Sequence, residues 1–286
     1  MAHIERIDES KAQETFGTSC VDLISSALGG QVLSFTDQFF ADAANLINPA
    51  APIRKPGYFV ETGAWYDGWE TRRHNREPAD WVIVKLGVPS GKVHGVEIDT
   101  AFFSGNHAPA VSVEGDTVWE TILPRQECGP SQRHACSHVR LNMYPDGGIA
   151  RFRLFGTVVP VFPTDPESII DLAHVANGGL AVSCSDQHFG TRHNLLLPGR
   201  GNNMGGEVIA NTLHFRGNFP QAIEVYAINR DEHEDARWEL IDTEHAFPST
   251  MLQNTQDKMV SHVKLVIIPD GGVKRLRVFG KRALKA

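Results

Sequence analysis

Apolar side chains fall on every second residue in Arg151-Phe-Arg-Leu-Phe155 and again in Arg275-Leu-Arg-Val-Phe279. That is the period of a strand with one buried face, and here the other face carries cations. Both stretches close a longer repeat, His138 to Gly156 and His262 to Gly280, whose copies stand 124 residues apart. Each copy holds Pro-Asp-Gly-Gly between two alternating segments. Pro presets φ for a turn and Gly supplies positive φ, so each copy is predicted to be one β-hairpin. Further strands are predicted at Val32, Trp81–Leu86, Val93–Thr100, Ala181 and Glu207, and two short helices at Val21–Leu28 and Glu167–Ala176, each followed by Gly-Gly within a few residues.

A Pro-rich linker, Val159 to Pro166, cannot be helix or central strand. It sets a boundary near residue 160, giving domains 1–160 and 161–286. Short β segments with Gly/Pro turns, few helices and no βαβ alternation predict an all-β chain of two tandem jelly-roll β-sandwich domains related by internal duplication.

The duplication is uneven. Asp37-Gln38 recurs as Asp186-Gln187 and Asn45 as Asn194, both 149 residues on, whereas Gly105-Asn106 recurs as Gly217-Asn218 only 112 residues on. The difference of 37 residues covers the Pro52–Val60 loop, the Asp67–Arg73 segment and the strand after it. Either residues are skipped between Gly205 and Gly206, or the second copy carries a deletion; losing an internal strand exposes unpaired edges.

Composition narrows the partners. In 286 residues, 21% are charged and the net charge is −7, so neither nucleic acid nor an anionic membrane is expected. The start lacks a signal-peptide core and no apolar run approaches about 18 residues. Cys20, Cys128, Cys136 and Cys184 form no Cys-x-x-Cys pair, as reduced thiols would. A cytoplasmic protein acting on a small polar molecule is the expectation.

The densest chemistry lies in Asp67-Gly-Trp-Glu-Thr-Arg-Arg-His74. Arg72 or Arg73 can clamp a carboxylate through paired N–H bonds, and Glu70 or His74 can move protons. The plainer reading is a solvated loop with internal ion pairs; Trp65 and Trp69 beside so many charges favour a site. A second cluster holds Asp186, Gln187, His188, Arg192 and His193. Gln187 both donates and accepts, and His188 titrates near neutrality. Asp37 and Gln38 read as a structural turn. Leu197-Pro-Gly-Arg200-Gly-Asn-Asn203 matches no phosphate loop and reads as a flexible turn. His107 and His214 close strands next to Gly-Asn pairs, while His134, His138 and His262 read as structural; the one His-x-x-x-His, His134 to His138, enters a strand instead of lying on a helix, so no metal is expected.

Several stretches together resemble the allantoicase family: residues 29–41 (GGQVLSFTDQFFA), 63–73 (GAWYDGWETRR), 80–87 (DWVIVKLG), 99–106 (DTAFFSGN), 185–190 (SDQHFG) and 194–201 (NLLLPGRG). The resemblance covers nearly the whole chain in order. It implies tandem jelly-roll, galactose-binding-like modules forming a homo-oligomer that hydrolyses allantoate to ureidoglycolate and urea, without a cofactor. The chemistry needs a cation for the substrate carboxylate, for which Arg72, Arg73 or Arg200 is available. Gln187 and Asn106 are suited to ureido groups, and Glu70 or His188 to proton transfer. The candidate set is completed by Asp67 as a catalytic carboxylate and by Trp69, Asp186 and His214 as substrate contacts. Two competing readings remain: a carbohydrate-binding module stacking a sugar on Trp65, Tyr66 and Trp69, and a degenerate ureide-pathway protein that binds without turnover.

Overall fold

The computed structural model describes residues 5–73, 77–115, 120–123, 135–188, 190–199, 218–229, 238–245 and 259–283. After one helix, α1 (Glu9–Phe16), come β1 (Val21–Asp22), β2 (Gln31–Phe35), β3 (Phe59–Val60), β4 (Gly63–Ala64), β5 (Trp69–Glu70), β6 (Asp80–Lys85) and β7 (Gly91–Asp99). There follow β8 (Ala110–Gly115), β9 (Glu120–Leu123), β10 (Ala135–Cys136), β11 (His138–Tyr144), β12 (Gly148–Ile149) and β13 (Arg151–Val158). The second half adds β14 (Ile170–Asp171), β15 (Ala222–Ile228), β16 (Glu239–His245), β17 (His262–Ile268) and β18 (Phe279–Gly280). The chain is all-β apart from α1 and three short 3-10 turns among the described residues.

In the first half two antiparallel sheets face each other, ordered β2-β6-β11-β8-β9 and β1-β13-β7-β10. Alternation decides which side chains fill the space between them. Val82, Val84, Val139 and Leu141 of one sheet meet Phe152 and Leu154 of the other in a single apolar cluster that also holds Trp69. Each such fully buried side chain contributes about 1.5–3 kcal/mol. Val175, Leu196 and Leu197 from the second half join the same cluster.

The predicted hairpins are corrected. β11 pairs with β6 and β8, whereas β13 pairs with β1 and β7, so Pro145-Asp-Gly-Gly148 arches from one sheet to the other. Alternation reports a buried face in an arch as well as in a hairpin, and the turn residues suit both. Gly147 has φ +142°, and a Cβ there would lie 2.9 Å from the Asn106 carbonyl oxygen. Gly271 repeats this with φ +125° and the Asn218 oxygen at 2.9 Å.

The cationic face of β13 is also not solvated as its pattern implies. Arg151 is 1% exposed and donates to the carbonyls of Ala50 (2.9 Å) and Asp67 (3.0 Å) and to the Asp67 carboxylate (2.8 Å). Arg275 does the same for the carbonyls of Gly199, Asn194 and Pro198. These arginines pin a loop across the strand, satisfying carbonyls that no sheet reaches.

Neither predicted helix forms. Asp22 accepts the backbone N–H of Ile24 and Leu154, and Asp171 accepts those of Ala173 and Val278, so each segment becomes a short strand and a turn tied to its neighbour. The helix lies earlier, and Phe16 at its end stacks on Phe155 at 5.0 Å.

Among the described residues the second half shows part of this plan. β16-β15-β17 corresponds to β9-β8-β11, and the β14–β18 pair to β1 with the end of β13. The strand expected at Ala181 does not form. Nearly all of the stretch expected as a strand at 207–218, and the Gly205–Gly206 junction, lie outside the described residues.

Candidate active site

Three backbone segments run side by side at the arch end of the first sandwich. Glu70 exchanges backbone hydrogen bonds with Ala41, the Thr71 N–H donates to the Gly147 carbonyl at 3.0 Å, and the Gly148 N–H donates to the Asn106 carbonyl at 2.8 Å. β5 thereby lies between residues 39–41 and β12, with the Asn106 turn beyond. This backbone arrangement collects Asp37, Glu70, Arg72, Arg73, Asn106 and Asp146, which are far apart in sequence.

Glu70 is 9% exposed, and the Asn106 amide donates to its Oε1 at 2.6 Å. Burial raises its pKa above the ordinary glutamate value, against the lowering effect of the Asn106 bond and the Arg73 charge. Arg73 pairs with the buried Asp146 at 3.1 Å and reaches the Gly105 carbonyl at 3.5 Å. Arg72 pairs with Asp37 at 3.0 Å and lies 5.3 Å from the centre of the Phe39 ring. Burial works against the Asp37 charge, but the backbone N–H and guanidinium of Arg72 hold its carboxyl below the usual range. The side chain of Arg72 is 65% exposed and that of Arg73 40%, so both guanidiniums reach solvent from fixed anchors. The result is a buried carboxylate of raised pKa beside two oriented cations and an amide.

Of the residues singled out from sequence, Glu70, Arg72, Arg73 and Asn106 come together here. Trp69 lies beneath them, fully buried, its indole N–H donating to the Asp37 carbonyl at 2.7 Å, so it supports the site and offers no stacking face. Asp67 is occupied by Arg151 and by the Ile53 N–H at 2.8 Å, a structural engagement. Gln187 uses its side-chain oxygen to accept the Arg192 N–H at 3.2 Å, as Gln38 accepts that of Ala43 at 3.1 Å. Asp186 and His188 are exposed in the second half, and no bond links Asp186 or Gln187 to the Glu70 group. Arg192 and His193 hold the Gly17 carbonyl at 2.6 and 3.0 Å. Arg200, His214 and His74 lie outside the described residues. Asp146 was not singled out from sequence, although its signal was available: a carboxylate inside the duplicated arch.

A duplicated β-sandwich bearing one compact acid–base and cation cluster at its loop end defines the class. The allantoicase repeat family matches residues 21–159 and 206–283. A probable allantoicase of Schizosaccharomyces pombe is 52% identical over 339 aligned positions, covering 98% of each chain. An allantoicase of Neurospora crassa is 52% identical over 344 positions, covering 98% of this chain and 96% of its own. The crystal structure of Saccharomyces cerevisiae allantoicase superposes with a TM-score of 0.82 at 43% identity, covering 97% of this chain and all of that one. The chain belongs to the allantoicase family. Since 339 positions are aligned against 286 residues, at least 53 of them face no residue of this chain.

Proposed function

We propose that this protein hydrolyses allantoate to ureidoglycolate and urea, at the Glu70 site of its first half. The observation that carries the residue assignment is the buried Glu70 carboxylate, held 2.6 Å from Asn106 within reach of the Arg73 charge. Allantoate bears a carboxylate and two ureido groups on one carbon. Arg72 and Arg73, each anchored by an aspartate, take the carboxylate. Asn106 keeps its side-chain oxygen for a ureido N–H. Glu70 takes a proton from water as the water oxygen bonds to the central carbon. The carbon–nitrogen bond to one ureido group breaks, and that nitrogen takes the proton from Glu70 and leaves as urea.

Urea release from allantoate tests the activity, and its absence in correctly folded protein would sink the reading. Glu70→Gln with turnover near that of the parent would remove the assigned role while leaving the activity standing. The buried Trp69 counts against the sugar-stacking alternative.

The same reading extends to organisation. The boundary is placed near residue 160, in the Pro-rich linker. Ile53, Tyr58 and Phe59 are 51%, 54% and 70% exposed around β3–β4, an apolar surface of the kind that assembly into a homo-oligomer covers. Cys20 and Cys184 are free thiols, in keeping with a reducing cytoplasm. No helix among the described residues is long and apolar enough to cross a membrane.

A further inference from the structure

The two arginines of the site take their aim from aspartates that belong to different strands. Asp37 lies just past the end of β2, and Asp146 just past the end of β11. β6 runs between those strands, antiparallel to both, so its first residue, Asp80, stands at the end where both leave the sheet. Strands on either side of a third are about 10 Å apart, beyond the reach of a direct hydrogen bond. Something between them has to hold the two anchors in step.

Asp80 touches both sides. It is fully buried, the Thr36 hydroxyl donates to its Oδ1 at 2.7 Å, and its own backbone N–H donates to the Pro145 carbonyl at 3.1 Å. Thr36 and Pro145 are the residues immediately before Asp37 and Asp146. Thr36 is fixed twice over, because its Oγ1 accepts the Trp81 N–H at 3.0 Å while its own N–H donates to the Trp81 carbonyl at 3.0 Å. Beyond the anchors the geometry divides. Asp37 accepts the Arg72 backbone N–H at 2.7 Å and its guanidinium at 3.0 Å, and Asp146 accepts the Arg73 guanidinium at 3.1 Å. Two arginines adjacent in sequence thus turn to opposite anchors, with Asp80 joining the segments behind them.

We propose that Thr36 and Asp80 are positioning residues for recognition of the substrate carboxylate. They touch no reacting atom. Their hydroxyl–carboxyl bond sets the spacing of Asp37 and Asp146, and through it the angle at which the two guanidiniums meet one carboxylate. Paired N–H bonds to a carboxylate depend on that angle as well as on distance. The inference rests on the reading that Arg72 and Arg73 take the carboxylate of allantoate. That contact is made in ground state and transition state alike, so a change in spacing acts on KM and spares kcat.

The test uses Thr36→Val, which keeps the shape and removes the hydroxyl, and Thr36→Ser, which restores it. Urea release from allantoate is followed in the full chain, at a temperature where parent and variants are folded. Thr36→Val should raise KM about tenfold and leave kcat within about threefold, and Thr36→Ser should return KM to within about threefold of the parent. Combined with Asp146→Asn, Thr36→Val should raise KM by clearly less than the product of the two separate effects, since both act through the aim of Arg73. The proposal is overturned if Thr36→Val lowers the unfolding midpoint and leaves KM unmoved, if Thr36→Ser is as impaired as Thr36→Val, or if the effects of Thr36→Val and Asp146→Asn multiply in full. A parent chain that releases no urea defeats the activity and this inference with it. Normal parent turnover with an unmoved KM in Thr36→Val defeats the inference alone.

Discussion

Arg73 and Asp146 meet at 3.1 Å across 73 residues of sequence, with the carboxylate buried under the arch that joins the two sheets. The arch therefore orients a side chain of the site as well as turning the chain. Asp146 touches no reacting atom in the proposed mechanism; it aims Arg73.

Asp146→Asn keeps the shape and removes the charge. A hydrogen bond to a charged group contributes about 1.5–3 kcal/mol, so kcat/KM should fall roughly tenfold to a hundredfold. The loss should appear mainly in KM, since Arg73 binds the carboxylate in ground state and transition state alike. A purely structural Asp146 would lower the unfolding midpoint and leave KM where it was.

Asp67 and Arg151 make the opposite kind of pair. Both are largely buried at 2.8 Å, and Arg151 ties the 50–67 loop to β13. Asp67→Ala leaves the guanidinium buried without its counter-charge and should destabilise by about 3–5 kcal/mol in denaturant unfolding. The fraction that remains folded should keep kcat within a few fold. A large kcat loss with unchanged stability would return Asp67 to the catalytic group.

What the sequence disclosed, and what it hid, follows from the reach of each interaction. Strands β6, β7, β11 and β13 were legible because alternation is local. The sheet each joins was not, since β11 and β13 are separated only by the arch and the short β12 and still part company at Pro145. Glu70, Arg72 and Arg73 stood out through their density within four residues. Asp146 and the role of Asp37 did not, because a lone aspartate in a turn looks the same whether or not an arginine arrives from elsewhere. Val21–Leu28 showed helical spacing, but Asp22 draws the backbone N–H of Leu154 from 132 residues away and overrides it.

Two histidines should make stability depend on pH. His174 caps a 3-10 turn by accepting the Ala176 N–H on Nδ1 at 3.0 Å; burial and then the Arg277 charge lower its pKa. His193, bonded to the Gly17 carbonyl, is lowered by burial and by Arg192. With folded values below the unfolded value of about 6.5, the unfolded chain binds more protons, so this stability is present above that pH and lost as pH falls through the folded values. His174→Asn keeps an acceptor at the cap without the titration. Thermal unfolding between roughly pH 7.5 and 5 should show a shallower decline in this variant than in the parent; an identical slope would exclude His174 as a contributor.

Glu70 carries the most direct prediction of all. As a base it must be ionised, so kcat/KM should fall on the acid side along a limb displaced above the ordinary glutamate range, in the direction burial moves it. Asn106→Ala removes a hydrogen bond that favours the ionised form and should move that limb to higher pH. Arg73→Gln removes a positive charge and should shift it the same way, and both variants should raise KM, because each removes a substrate contact. Glu70→Gln should abolish the limb and lower kcat about 10²–10⁴-fold. The linked stability runs in the opposite sense from the histidines: a carboxyl raised on folding stabilises the protein below its unfolded pKa, and that contribution is lost as pH rises through the folded value. Glu70→Gln should therefore gain stability near neutrality while losing turnover. A variant that loses both would mark Glu70 as a support of the fold instead of the group that moves the proton.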